Sequence, residues 1–180
     1  QVNQWVRSFR LTPAQGGERL HPFLPGQYLN LFYQINGTTT SRPYSIASSP
    51  KDAEQGFYEL YVHGGGSFTA QWLFQNSRVG QVLQASVPVG DFHYIQGQDT
   101  TKLIGISGGM SVTPLRSMAR SVADGSLDVD LTIFCGWDTP QEVLYYEEFQ
   151  EYTRVCPQFK GVFNVLNGGL KGAECGYITL

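Results

Sequence analysis

Residues 104–120 read IGISGGMSVTPLRSMAR. A short apolar strand runs into the pair Gly108-Gly109, and an amphipathic helix follows at once. Val112, Leu115, Met118 and Ala119 fall on one helical face, and Gly125 stands near its end. Free N–H groups at a helix N-terminus, aligned with the helix dipole, suit a phosphate. Yet no Gly-Lys-Ser/Thr follows, so this is not a P-loop, and the glycines lack the spacing of the common dinucleotide fingerprint. Alone, the stretch reads equally well as an ordinary strand-to-helix turn.

Its surroundings extend the strand–helix alternation. KLIGIS (102–107) reads as a short buried strand and DVDLTIFCG (128–136) as a second. TPQEVLYYEEFQEYTRV (139–155) reads as a helical region opened by Thr139 as N-cap and Pro140 as first helical residue. FKGVFNVLN (159–167) reads as a third strand. Glu147, Glu148 and Glu151 read as a solvated helix face. Strands alternating with helices imply a parallel sheet. Three strands make a thin α/β domain, and GYITL ends without a closing helix. The expectation is therefore of a C-terminally truncated, incomplete domain.

The first half is written differently. Residues 4–10 and 27–35 alternate apolar and polar, the second run following the turn signal Pro25-Gly26. RPYSIA (42–47), FYELYVH (57–63) and VLQASV (82–87) read as further strands, with KDAEQG (51–56) as a polar loop. SFTAQWLFQ (67–75) reads as a helix with Phe68, Trp72 and Phe74 close to one face. Period-2 patterning with Gly and Pro punctuation predicts an antiparallel barrel or sandwich. The change of style near Gly97–Thr100 divides the chain into domains 1–98 and 99–180.

Of 180 residues, 41% are hydrophobic and 15% charged, the balance of a folded chain rather than a disordered one. Net charge is −3 and no basic run occurs, which argues against nucleic acid or an anionic membrane as main partner. No apolar run approaches the roughly 18–20 residues of a membrane span. The N-terminus has no signal-peptide pattern, and a cytoplasmic location is expected. Cys135, Cys156 and Cys175 are far apart, without metal or iron–sulfur spacing, and no metal site is expected. They read as free thiols, with one disulfide plus a free thiol as the alternative.

Two further motifs carry chemistry. In RPYSIASSP (42–50), Arg42 offers a planar charged fork for a phosphate, Tyr44 a flat aromatic face and Ser45 a small hydroxyl. Pro43 removes a ladder donor, which marks an edge strand or a bulge, so a tyrosine packed on a barrel edge also fits. In HGGGSFTAQWL (63–73), three glycines precede a helix whose first turn holds Ser67 and Thr69, a second anion-ready helix start. A flexible turn capped by Ser67 or Thr69 is the plainer reading.

In this order and at these spacings, the three motifs resemble the ferredoxin–NADP⁺ reductase superfamily. The resemblance runs over essentially the whole chain and includes the linking stretch VGQVLQASVPVGDF (79–92). It implies a six-stranded antiparallel flavin-binding barrel followed by a Rossmann-like parallel-sheet nucleotide-binding domain. By position, Arg42 and its neighbour Pro43 lie where the family meets the flavin pyrophosphate. Tyr44 matches the tyrosine against the isoalloxazine ring and Ser45 the serine near flavin N5. These two stand closest to the reacting atoms and are the expected catalytic residues. Tyr61, Val62 and His63 match the strand that contacts flavin through its backbone, and Gly66, Ser67, Phe68 and Thr69 the pyrophosphate cradle. Gly108, Gly109, Thr113 and Pro114 match the nicotinamide nucleotide loop, and Gly136, Trp137 and Asp138 the grip on its adenosine ribose.

The resemblance implies an NAD(P)H-dependent flavin-containing reductase. Hydride would pass to bound FAD (FMN is less favoured) and electrons onward to an iron–sulfur or haem partner, such as a 2Fe-2S ferredoxin, an oxygenase or a haem protein. NADH is favoured over NADPH. No Lys or Arg lies in 135–140 to meet a 2′-phosphate, and Asp138 would repel one. The chain departs from the family where Ser111 replaces a glycine; a positive φ there would cost about 1 kcal/mol. The family's late Cys-Gly-Pro segment and terminal aromatic are also missing. The alternative implied is a flavin-binding electron-relay subunit of a larger complex that does not itself oxidise NAD(P)H.

Overall fold

The computed structural model describes residues 2–178. It places six elements and a short strand in the first half: β1 (Val6–Leu11), β2 (Tyr28–Ile35), β3 (Thr38–Ser45), α1 (Pro50–Glu54), β4 (Tyr58–His63), α2 (Phe68–Asn76) and β5 (Gln84–Ala85). β2 and β3 form a hairpin whose two-residue turn, Asn36-Gly37, has φ of 50° and 79°. Two positive φ values give the turn a twist that matches the strands. β5 pairs with the other edge of β2, and β1 pairs antiparallel with β4, from Val6↔His63 to Leu11↔Tyr58. The Ala47 N–H donates to the Glu59 carbonyl at 2.8 Å, joining the end of β3 to β4. Alternation sends Leu29, Leu31, Tyr33, Ile35, Leu60 and Val62 into one core with Leu73 of α2.

This half departs from the sequence reading in four details. Only five strands are named among the described residues of this half; the sixth segment contributes a single bridge, Val89 to Tyr28, and beyond it the Asn30 N–H of β2 goes to the Ser86 hydroxyl at 2.9 Å instead of to a strand carbonyl. VLQASV shrinks to two strand residues, its Val82 being 76% exposed and so without a core to hold it. The polar loop KDAEQG largely becomes α1, because Pro50 starts a helix and the Asp52 carboxylate accepts the Ser49 N–H at 2.9 Å. On α2 the buried pair is Thr69 and Leu73, four residues apart, while Phe68 points outward at 66% exposure.

The second half holds β6 (Lys102–Gly108), α3 (Val112–Ala123), β7 (Asp130–Trp137), α4 (Tyr146–Val155), β8 (Phe159–Val165) and β9 (Glu174–Cys175). Its sheet runs β6-β7-β8-β9, all parallel, one strand more than expected. Residues 131, 133, 135 and 137 of β7 are buried in alternation. On that same face Leu115 of α3 sits against Gly105, and Phe149 of α4 against Gly161. β6 is the sheet edge, and its opposite face leaves Ile104 and Ile106 69% and 55% exposed, so KLIGIS is half-buried rather than buried.

The region 139–155 is not one helix. Pro140–Glu142 makes a single 3-10 turn, and α4 begins only after Tyr145, whose φ is +62°. Leu144 is drawn into the core between them, and Arg116 lies 4.7 Å over the Tyr145 ring, which fixes the break. The chain divides at His93–Tyr94 into two compact units. Cys135, Cys156 and Cys175 are free, but only Cys135 is buried. Among the described residues no helix is long and apolar enough to cross a membrane.

Candidate functional site

In the first unit, the motif residues gather around the end of β3 and the start of α2. Arg42 and Pro43 are exposed, and Tyr44 and Ser45 half-buried. The register sets Arg42 opposite Leu31 and Tyr44 opposite Leu29, so the two share a face and Ser45 lies on the other. Arg42 makes one hydrogen bond, from Nη1 to the Ser41 carbonyl at 2.7 Å. The Tyr44 ring packs against the barrel core and its hydroxyl is buried. That burial, with Tyr33 beside it, raises the phenol well above its ordinary range.

Tyr33 also links the two motifs. Its hydroxyl donates to the Thr69 carbonyl at 3.2 Å, and the Thr69 hydroxyl lies 2.9 Å from that of Ser67. Ser67 is the N-cap of α2 and accepts from the Ala70 N–H. Val62 is buried, while Tyr61 and His63 are half-buried on β4; Tyr61 donates to Glu59 and His63 accepts the Gly65 N–H through Nδ1. The three glycines have different reasons. A side chain on Gly64 would stand 2.9 Å from the Phe74 ring, and one on Gly65 would stand 2.8 Å from the His63 ring. Gly66 alone has room, with no neighbour closer than 3.4 Å, so its backbone is the open one at the helix start.

In the second unit, β6 ends at Gly108 and a 3-10 turn, Gly109–Ser111, leads into α3. Gly109 takes φ of +57°, which favours glycine, and open space surrounds it. Ser111 does not share that conformation. Its φ is −67°, so the serine carries no strain and the expected cost is absent. The Thr113 side chain is buried, and its hydroxyl donates to the Met110 carbonyl at 2.8 Å; it shapes the loop from beneath. Pro114 follows in the first turn of α3.

Gly136 is level with Gly108 on the neighbouring strand, at the C-terminal edge of the sheet where open parallel sheets bind ligands. Trp137 is buried on the helix-covered face, and Asp138 is exposed just beyond the strand. The sequence reading missed the network between α3 and α4. Glu148, read as solvated, accepts from Arg116 at 2.7 Å, Arg120 at 3.2 Å and Tyr152 at 2.7 Å. The signal was available: four-residue spacing puts Arg116 with Arg120, and Glu148 with Tyr152, on single helical faces.

Both loops fit a dinucleotide. Each offers first-turn N–H groups that a helix cannot satisfy itself, beside a glycine: Gly66 in one, where a Cβ would make only ordinary contact from 3.4 Å, and Gly109 in the other, with open space around it. Arg42, and the hydroxyls of Ser45 and Ser67, are the polar groups of the first unit suited to hold a flavin. An antiparallel β-unit with one such loop is followed in the chain by a parallel α/β unit with the other, the arrangement of a two-domain nucleotide-binding protein. Residues 1–94 match the oxidoreductase FAD-binding domain, and residues 106–178 the oxidoreductase NAD-binding domain. The chain belongs to the ferredoxin–NADP⁺ reductase superfamily.

It is 33% identical over 138 residues to the glycine betaine monooxygenase reductase subunit of Chromohalobacter salexigens, covering 77% of this chain and 37% of that protein. It is 29% identical over 174 residues to NADH-cytochrome b5 reductase 1 of Dictyostelium discoideum, covering 95% of this chain and 58% of that one. The flavohem-like FAD/NAD-binding domain of nitric oxide dioxygenase from Vibrio cholerae O1 biovar El Tor has the same fold, with a TM-score of 0.85 and 21% identity. It covers all of this chain, which spans 76% of that domain. The chain therefore spans 37% and 58% of the length of these two curated relatives, less than two thirds of either.

Proposed function

We propose that this chain is the reductase module of an electron-transfer flavoprotein, taking electrons from NADH into FAD and passing them to an iron–sulfur or haem partner. The observation that carries the reading is the ordered pair of glycine-to-helix loops, one in an FAD-binding domain and one in an NAD-binding domain. Bound flavin supplies the ability to accept a hydride and release electrons singly. The chain's own residues bind and orient. Arg42 pairs with phosphate charge, and the α2 start with Gly66 and Ser67 cradles the pyrophosphate. Tyr44 lies along the ring on the Arg42 face, Ser45 at the end of β3 brings its hydroxyl in from the strand's other face, and the Gly108–Gly109 loop with Pro114 holds the nicotinamide nucleotide. Holding two reactants in line contributes several kcal/mol without a protein acid or base.

NADH preference rests on Asp138, an exposed carboxylate just beyond β7 with no Lys or Arg in 135–140. A relay subunit without NADH oxidation draws support from Ser111 and from the missing Cys-Gly-Pro segment; the relaxed backbone at Ser111 removes the strain half of that support and leaves the other half standing. The reading is tested by flavin retention in Arg42→Ala. Loss of a charge-assisted phosphate contact weakens FAD binding by roughly tenfold or more. Unchanged retention removes Arg42 from the site.

A further inference from the structure

The substitution of serine at 111 has a structural counterpart. The Gly108 N–H donates to Ser111 Oγ at 3.0 Å, and the Ser111 hydroxyl donates back to the Gly108 carbonyl at 2.9 Å. A second hydroxyl acts one step further on, where Thr113 donates to the Met110 carbonyl. Gly109, between these ties, is the one residue of the loop with positive φ. Both Ser111 bonds go to groups of Gly108 at the end of β6. Neither takes a first-turn N–H of the helical segment that follows. The carbonyls of Gly108 and Met110, which would repel an anion, are thus each neutralised by a hydroxyl. A chain with glycine at 111 would have to order this loop without the clasp, against the larger backbone entropy of glycine.

We propose that Ser111 is a positioning residue for the nicotinamide nucleotide: its two-way clasp on Gly108 preorganises residues 108–111 to receive the pyrophosphate. The inference rests on the NADH-oxidising reading above and adds the element that shapes its loop. Because its hydroxyl already donates to one carbonyl and accepts one N–H, Ser111 acts through Gly108 and not by touching phosphate itself.

The test compares Ser111→Ala, Ser111→Gly and Ser111→Thr in the purified flavin-loaded protein. It measures ADP-ribose binding by calorimetry, the split between KM and kcat for NADH, and amide hydrogen exchange at Gly108. Loss of one ordinary pair of hydrogen bonds weakens ADP-ribose binding about three- to tenfold in Ser111→Ala and Ser111→Gly. The loss falls on KM more than kcat, and exchange at Gly108 accelerates. Ser111→Thr, which keeps the hydroxyl, restores both. Unchanged or tighter ADP-ribose binding in Ser111→Ala, while the wild type binds it and oxidises NADH, overturns the clasp alone. A wild type that binds neither ADP-ribose nor NADH overturns the nucleotide reading, and the clasp with it.

Discussion

Arg116 Nε donates to Glu148 Oε2 at 2.7 Å across the space between α3 and α4, with the Arg116 side chain only 7% exposed. Arg120 and Tyr152 close on the same carboxylate. Neutralising Glu148 takes from the nearly buried Arg116 guanidinium the carboxylate on which Arg120 and Tyr152 also converge. Glu148→Gln is therefore expected to destabilise the second unit by about 3 kcal/mol, read as a lower denaturant midpoint. Glu151→Gln, whose partner Arg154 shares an exposed, solvent-screened surface, should leave that midpoint essentially unchanged.

Gly64 and Gly66 separate packing from binding. Gly64→Ala places a methyl against the Phe74 ring, which itself lies under Arg7, and overpacking there should cost about 1–3 kcal/mol of stability. Gly66→Ala meets no such neighbour. Its expected effect is a drop in bound flavin, measured by absorbance per protein, with little change in stability.

Burial pushes the Cys135 thiol up to about 12, with the nearby Ser107 hydroxyl pulling the other way. In the unfolded chain the thiol ionises from about 9. Between those values the folded state holds more protons, so stability falls as pH rises through that window and is fully present below it. The denaturant midpoint should decline from pH 9 upward, and the decline should be shallower in Cys135→Ala. A thiol reagent at neutral pH should label Cys175 first and leave Cys135 untouched until unfolding.

Asp138→Ala should lower the KM for NADPH relative to NADH by roughly tenfold, since one repulsive charge beside a 2′-phosphate is removed. An unchanged ratio would place the ribose elsewhere.

Much of the fold was legible because the core depends on period. Leu29, Leu31, Tyr33 and Ile35 announce β2, and Leu131, Ile133 and Cys135 announce β7. What was hidden depends on single contacts. α1 rests on one Asp52 cap, and the break at Tyr145 on Leu144 entering the core and Arg116 stacking above. At the sites, the loops were legible as glycine before helix, but each glycine's reason was not. Gly64 and Gly65 answer to the rings of Phe74 and His63, which no local pattern reveals. Ser111 looked like a defect because sequence gives no φ.

The most direct measurement is anaerobic addition of NADH to the purified yellow protein while flavin absorbance is followed. The account predicts bleaching with NADH, faster than with NADPH, and return of the yellow colour on adding a one-electron acceptor. Protein that carries flavin yet stays oxidised with both nucleotides would contradict it.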